Sequence, residues 1–148
     1  MQNVEWSSCV NSTQADAALK IRIEITENED VVIVRRRTRD HAHRLGMTLT
    51  DTTKLVTAAS ELARNALEYG GGGWAEVELV SNGVRRGVQL TVTDEGPGIP
   101  DVERALTDGF TSGKGLGLGL GGSRRLVNEF SIESAAGRGT CVRVIRWT

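Results

Sequence analysis

Apolar and polar positions alternate along Leu19–Thr26 (LKIRIEIT), a period of two that predicts a half-buried strand. The period then changes. Val31, Val34, Thr38, Ala42 and Leu45 recur at helical spacing, and Gly46 follows as a natural C′ residue. Val31–Val34 alone also has strand propensity, but the longer pattern predicts a helix over Asn28–Leu45. Leu49–Tyr69 carries the clearest stripe, with Leu55, Val56, Ala59, Leu62, Ala63 and Ala66 on one side and Thr50 or Asp51 placed to cap it. Glycines at 70–73 end that helix. Trp74–Val80 and Gly87–Thr93 alternate like strands, joined through Asn82–Gly83, a strong hairpin signal. Asp101–Leu106 reads as a short helix and Gly119–Phe130 as another. Ser131–Ala135 and Thr140–Trp147 close the chain as strands around a Gly137–Gly139 turn. Residues 1–18 are mostly polar and aperiodic, a loose leader before one domain over 19–148. Helices bunched between strands predict an α+β, two-layer α/β sandwich, with helices covering one face of a mixed sheet.

Composition narrows the picture. A chain of 148 residues suits one domain, and 39% apolar residues with 4% aromatics imply an aliphatic core. The net charge of −1 gives no basic excess of the kind a nucleic-acid binder carries. Arg35–Arg37 with Arg39, and Arg124–Arg125, read as solvated helix faces. Cys9 and Cys141 cannot be read as a disulfide framework and lack metal-ligand spacing. The start of the chain has neither a basic n-region nor an apolar h-region, and no apolar stretch approaches a membrane span. The expectation is a soluble cytoplasmic protein with no nucleic-acid or membrane partner.

Three segments carry candidate chemistry. In ELARNALEY, Glu61 and Asn65 are four apart and project from the same helix face. A carboxylate with a carboxamide offers a base beside a neutral oxygen ligand, which suits Mg²⁺ shared with substrate phosphates. Alone, the pair fits a solvated helix edge with a Glu–Asn hydrogen bond better. In TVTDEGPGIPD a strand ends in Asp94, and Gly96 and Gly98 leave room beside it. Such a carboxylate could accept a hydrogen bond from an exocyclic amine, although an ordinary turn would look the same. In TSGKGLGLGLGGSRRL, glycines at 113, 115, 117, 119, 121 and 122 expose backbone N–H groups ahead of a helix, which favours phosphate. Lys114 adds a mobile positive charge. Gly117, Gly119 and Gly122 satisfy GxGxxG, but follow no strand of a first βαβ unit, and GxxxxGK[ST] is absent.

The order and content of these segments resemble the N-, G1- and G2-boxes of the GHKL ATPase/kinase superfamily, which includes gyrase B, Hsp90, histidine kinases and MutL. The resemblance covers nearly all the chain after about Lys20 and implies a Bergerat ATP-binding fold with ATP and Mg²⁺ as cofactors. On that footing Asn65 coordinates the metal, Asp94 reads the adenine amino group, and Gly96, Gly98 and Ile99 shape its pocket. The run Gly113, Lys114, Gly115, Leu116, Gly117, Leu118, Gly119 and Leu120 would wrap the phosphates, and Thr140 in GRGT would support adenine recognition.

Glu61 narrows the choice further. Histidine kinases usually carry an amide at this position, whereas a hydroxyl acceptor benefits from a carboxylate that takes its proton. His41 and His43, in RDHAHRLG, lack the surroundings of a phosphoacceptor histidine and read as surface helix residues. The wording ELARNALEYGGGG, DEGPGIPDVERALTDGFTSGKGLGLGL and RRLVNEFSIES is similar to the RsbT-like switch-protein serine kinases of bacterial partner-switching modules. This implies a serine/threonine kinase with Glu61 as base, acting on a STAS-domain antagonist or scaffold protein. A PP2C-type phosphatase or a sigma factor would lie downstream in a stress-sensing (stressosome) complex. The alternative reading is an anti-sigma factor or phosphatase activator in which ATP is mainly a structural ligand. A detached histidine-kinase catalytic domain fits less well. The leader and Lys114 depart from the family pattern.

Overall fold

The computed structural model describes residues 20–107 and 119–148, together with the backbone of Gln14–Ala15. Strand β1 is Gln14–Ala15 and β2 is Ile21–Ile25. Helices α1 (Asn28–Arg44) and α2 (Leu49–Glu68) follow. The hairpin β3 (Gly73–Ser81) and β4 (Arg86–Asp94) comes next, then short helices α3 (Val102–Ala105) and α4 (Gly119–Arg125). Strands β5 (Glu129–Ala135) and β6 (Gly139–Trp147) end the chain.

Local chemistry explains the helix starts. The Asp30 carboxylate accepts from the backbone N–H groups of Thr26 (2.8 Å) and Glu27 (3.1 Å), and from the Thr26 hydroxyl (3.0 Å), satisfying donors that α1 leaves open. The cap of α2 is Thr48, whose hydroxyl accepts from Asp51 N–H at 3.2 Å; it lies before the expected Thr50 or Asp51. Thr48 has the extended backbone a cap requires, and Asp51, displaced into the first turn, meets Arg146 at 2.6 Å. Asn82 organises the β3–β4 turn, its Oδ1 accepting from Val84 and Arg85 N–H.

β1 and β2 both pair with β3, which is followed across the sheet by β4, β6 and β5. Every pairing is antiparallel, so the expected mixed sheet is corrected. The reason is topological. β4 and β5, joined through α3 and α4, run the same way, but β6 inserts between them and converts a would-be parallel pair into two antiparallel ones.

Helix α4 also stops short of the expected Phe130. Asn128 donates its backbone N–H to Ile145 (2.9 Å), and its side-chain oxygen accepts from Trp147 N–H (2.7 Å). The chain is thereby drawn into the sheet, and Phe130 pairs with Val144.

Helices α1 and α2 pack on one face of this sheet. Val34 of α1 and Leu55, Ala59, Leu62 and Ala66 of α2 meet Ile25, Val77, Leu90 and Val144, all essentially buried. Burying a Leu or Val side chain contributes about 1.5–3 kcal/mol. The opposite face carries the alternate strand residues, among them Glu78, Gln89, Arg143 and Ile145, which are also buried.

Candidate functional site

One cavity of about 1180 Å³ opens between the C-terminal half of α2, the end of β4, the loop into α3, and the start of α4. Glu61, Asn65, Asp94, Gly98, Ile99, Gly119, Leu120 and Thr140 all line it. Helix periodicity puts Glu61 and Asn65 on the cavity side of α2, while the core stripe faces the sheet. The β4–β6 register sets Thr140 opposite Asp94, and Asp94 also pairs with Gly73. Gly96 stands behind the lining, against Gly70; a Cβ there would come within 2.6 Å of Gly70 Cα. Gly113, Lys114, Gly115, Leu116, Gly117 and Leu118 lie outside the described residues.

At one end of the cavity, Asp94 Oδ1 accepts from Gly96 N–H at 2.9 Å. Burial raises the Asp94 carboxyl above the ordinary carboxylate range, against the opposing pull of the Gly96 and Thr140 backbone donors. Ser134, on β5, fastens this end together. Its hydroxyl oxygen accepts from Ile99 N–H (2.7 Å), donates to Gly139 C=O (3.1 Å) and bonds the Thr140 hydroxyl (2.9 Å). Gly98 sits beneath at φ +82°, where a Cβ would lie 2.5 Å from the Ala135 carbonyl oxygen. Neither the backbone angle nor the space suits a larger residue.

At the other end, Glu61 is 7% exposed, although it lies on a helix edge. Its Oε2 meets Arg64 Nη1 at 3.2 Å and its Oε1 accepts from Gly119 N–H at 3.4 Å. One carboxylate oxygen is thus engaged by its own helix and the other by the start of α4. Arg35, Arg64 and Arg104 are also among the residues that line the cavity. The arrangement offers a carboxylate and a carboxamide at one side, with Arg64 beside the carboxylate, and a desolvated acceptor in a small-residue pocket at the other. That polarity suits an elongated ligand with an anionic end and an amine-bearing end.

Several lining residues were not nominated from sequence. Arg64 and Tyr69 lay within the ELARNALEY segment, at helical spacing from Glu61 and Asn65, so periodicity could have found them. Ser134, which is not itself in the lining but bonds Ile99 and Thr140, offered no such signal, because its role depends on β5 folding back beside β6.

Residues 50–147 match the family described as histidine kinase-, DNA gyrase B- and HSP90-like ATPase. The chain belongs to this family. It is 41% identical over 125 residues to the serine/threonine-protein kinase RsbT of Bacillus subtilis (strain 168), covering 84% of this chain and 94% of that one. It is 34% identical over 106 residues to the anti-sigma F factor of Geobacillus kaustophilus, covering 66% of this chain and 70% of that one. Among solved structures, the RsbU and RsbW domains of a Mycobacterium tuberculosis protein share its fold, with a TM-score of 0.61 and 22% identity. That match covers 86% of this chain and 32% of the other. The mycobacterial sensor histidine kinase MprB shares it at a TM-score of 0.52 and 21% identity, covering 86% of this chain and 96% of that one. Membership in an ATPase family makes ATP the ligand of the domain.

Proposed function

We propose that this chain is an ATP-dependent serine/threonine protein kinase whose phosphate acceptor is a STAS-domain antagonist in a bacterial partner-switching pathway. The observation that carries the reading is the buried Glu61 carboxylate beside Asn65, in the same cavity as the desolvated Asp94. Similarity to a protein named as a serine/threonine kinase supports it.

The adenine end of ATP lies against Asp94, which accepts from the exocyclic amine, with Thr140, Gly98 and Ile99 around the ring. The phosphates point toward Asn65 and the Gly113–Leu120 loop. Glu61 accepts the proton of the incoming serine or threonine hydroxyl as its oxygen attacks the γ-phosphorus and the bond to ADP breaks. Among the described residues no group of three or more His, Cys, Asp or Glu side chains could hold a metal by itself. The donors present fit Mg²⁺, which needs only one or two protein oxygens when phosphates and water supply the rest. Asn65 would hold it, and it would neutralise charge on the transferred phosphoryl group. A cytoplasmic setting, where ATP is abundant, and a stress-sensing assembly that includes a PP2C-type phosphatase belong to the same reading.

Transfer of radiolabelled phosphate from ATP to STAS-domain proteins tests it, followed by identification of the phosphorylated residue. Acid-stable phosphoserine or phosphothreonine is expected, and acid-labile phosphate would overturn the acceptor class. Glu61→Gln should bind nucleotide normally and lose phosphoryl transfer; an unimpaired variant would refute the base assignment.

Similarity to anti-sigma F factors favours a second reading, an interaction protein in which ATP is chiefly a structural ligand. Partner capture with and without ATP separates the two, since selective binding of a sigma factor over STAS proteins would support the second.

A further inference from the structure

A carboxylate that takes a proton from an incoming hydroxyl must present an oxygen to it, and a free glutamate side chain has several rotatable bonds with which to point elsewhere. In this chain Glu61 is held by donors from two elements. Oε1 accepts from Gly119 N–H at 3.4 Å, and Oε2 accepts from Arg64 Nη1 at 3.2 Å. Each oxygen keeps a second lone-pair site for the hydroxyl. All three residues line the cavity.

The two holds differ in what secures them. The Gly119 contact is the longer one and crosses from α2 to the first residue of α4, a helix of seven residues. The Arg64 contact runs along α2 itself. Arg64 stands three residues after Glu61, a spacing at which helix side chains meet, and Leu62, Ala63 and Ala66 fix that stretch of α2 in the core. Arg64 Nη2 also reaches Ser60 Oγ, one turn back on the same face, at 3.5 Å. That second contact is at the limit of hydrogen-bond length, so the guanidinium is anchored chiefly through the nitrogen that faces Glu61.

Stability does not account for the pair. The Arg64 side chain is 45% exposed, and an ion pair so open to water adds little to folding. Its place is more telling, because Glu61 is the one carboxylate of α2 that is both buried and turned to the cavity.

We propose that Arg64 is the positioning residue of phosphoryl transfer, an inference that rests on the kinase reading above. It fixes Glu61 Oε2 so that the carboxylate is already aimed when the acceptor hydroxyl arrives. The hydroxyl proton passes to Glu61, the hydroxyl oxygen bonds to the γ-phosphorus, and the bond to ADP breaks with its electron pair. Arg64 stays protonated throughout and acts through Glu61, not on the nucleotide.

Steady-state phosphoryl transfer from ATP to STAS-domain proteins, with ATP hydrolysis by the full-length chain alone measured beside it, tests the role. Arg64→Ala should lower kcat about 10- to 100-fold, with KM for ATP and affinity for ADP within about threefold of the native values. Arg64→Lys should return kcat to within about fivefold of native, because one nitrogen makes the contact. In a Glu61→Gln background, Arg64→Ala should remove no further rate, since no base is left to position. The urea midpoint should stay level in both Arg64 variants. An unchanged kcat in Arg64→Ala, or a lysine variant as slow as the alanine one, would overturn the role. Selective loss of affinity for ATP over ADP would make Arg64 a phosphate contact instead, and a fall in urea midpoint in step with the rate would make it structural. A native chain that turns over ATP with neither acceptor would overturn the kinase reading, and this role with it, an outcome distinct from all the others.

Discussion

Asp94→Asn separates the proposed adenine contact from the structural work of the same side chain. In the native chain Oδ1 is occupied by Gly96 N–H at 2.9 Å. An asparagine that keeps its oxygen on this donor turns its –NH₂ toward the cavity, so that a donor faces the adenine amine. Hydrogen bonds to charged groups contribute about 1.5–3 kcal/mol, so ATP should bind roughly 10- to 150-fold more weakly. Stability should move the other way or stay level at neutral pH, because the substitution removes a carboxylate that burial disfavours while keeping its bond to Gly96. Isothermal titration with ATP and with purine riboside triphosphate, which lacks the exocyclic amine, gives a double-mutant cycle on that contact. The analogue should bind both proteins about equally. Equal loss of affinity for both nucleotides, or no loss for ATP, would refute the adenine contact. A marked fall in unfolding temperature would show that Asp94 acts chiefly on the loop.

Further outcomes follow from the same geometry. Nucleotide affinity should decline as pH falls through the raised Asp94 midpoint, since protonation weakens the acceptor; the decline should be absent in Asp94→Asn. For folding, the same shift gives the linked sign. A carboxyl whose folded pKa lies above its unfolded value contributes stability that is fully present below the unfolded value and lost as pH rises through the folded one, measurable as the pH dependence of urea unfolding. Gly98→Ala should cost at least about 2 kcal/mol in urea unfolding, because it combines a left-handed backbone with an approach to the Ala135 carbonyl, and should weaken ATP binding; a neutral effect would show that the loop relaxes freely. Leu62→Ala, at 2% exposure between α2 and the sheet, should cost about 2–5 kcal/mol, read in the same assay.

Most of the elements were legible because each rests on a short-range rule. The stripe through Leu55, Leu62 and Ala66 must face a core, and alternation in TVTD must put every second residue inward. The same rules put Glu61 and Asn65 on one helix face and Asp94 at a strand end. They did not bring those groups together. That depended on β6 entering between β4 and β5, which sets Thr140 beside Asp94 and lets Ser134 tie Ile99 and Thr140 into one wall.

The departures have the same origin. The cap moved to Thr48 where Asp51 meets Arg146, and α4 ended early where Asn128 is captured by Ile145 and Trp147. In both cases a partner 19 to 95 residues away accompanies the change in local reading. The outer face shows the limit most clearly. Alternation predicts which residues of β4 and β6 turn away from the helices, yet it does not reveal that polar Gln89 and Arg143 on that side are buried. By itself the sequence determined the periods, the turns and the residue types at the pocket. Strand order, the closure of the cavity and the burial of the far face were decided by long-range packing, whose energy no local pattern contains.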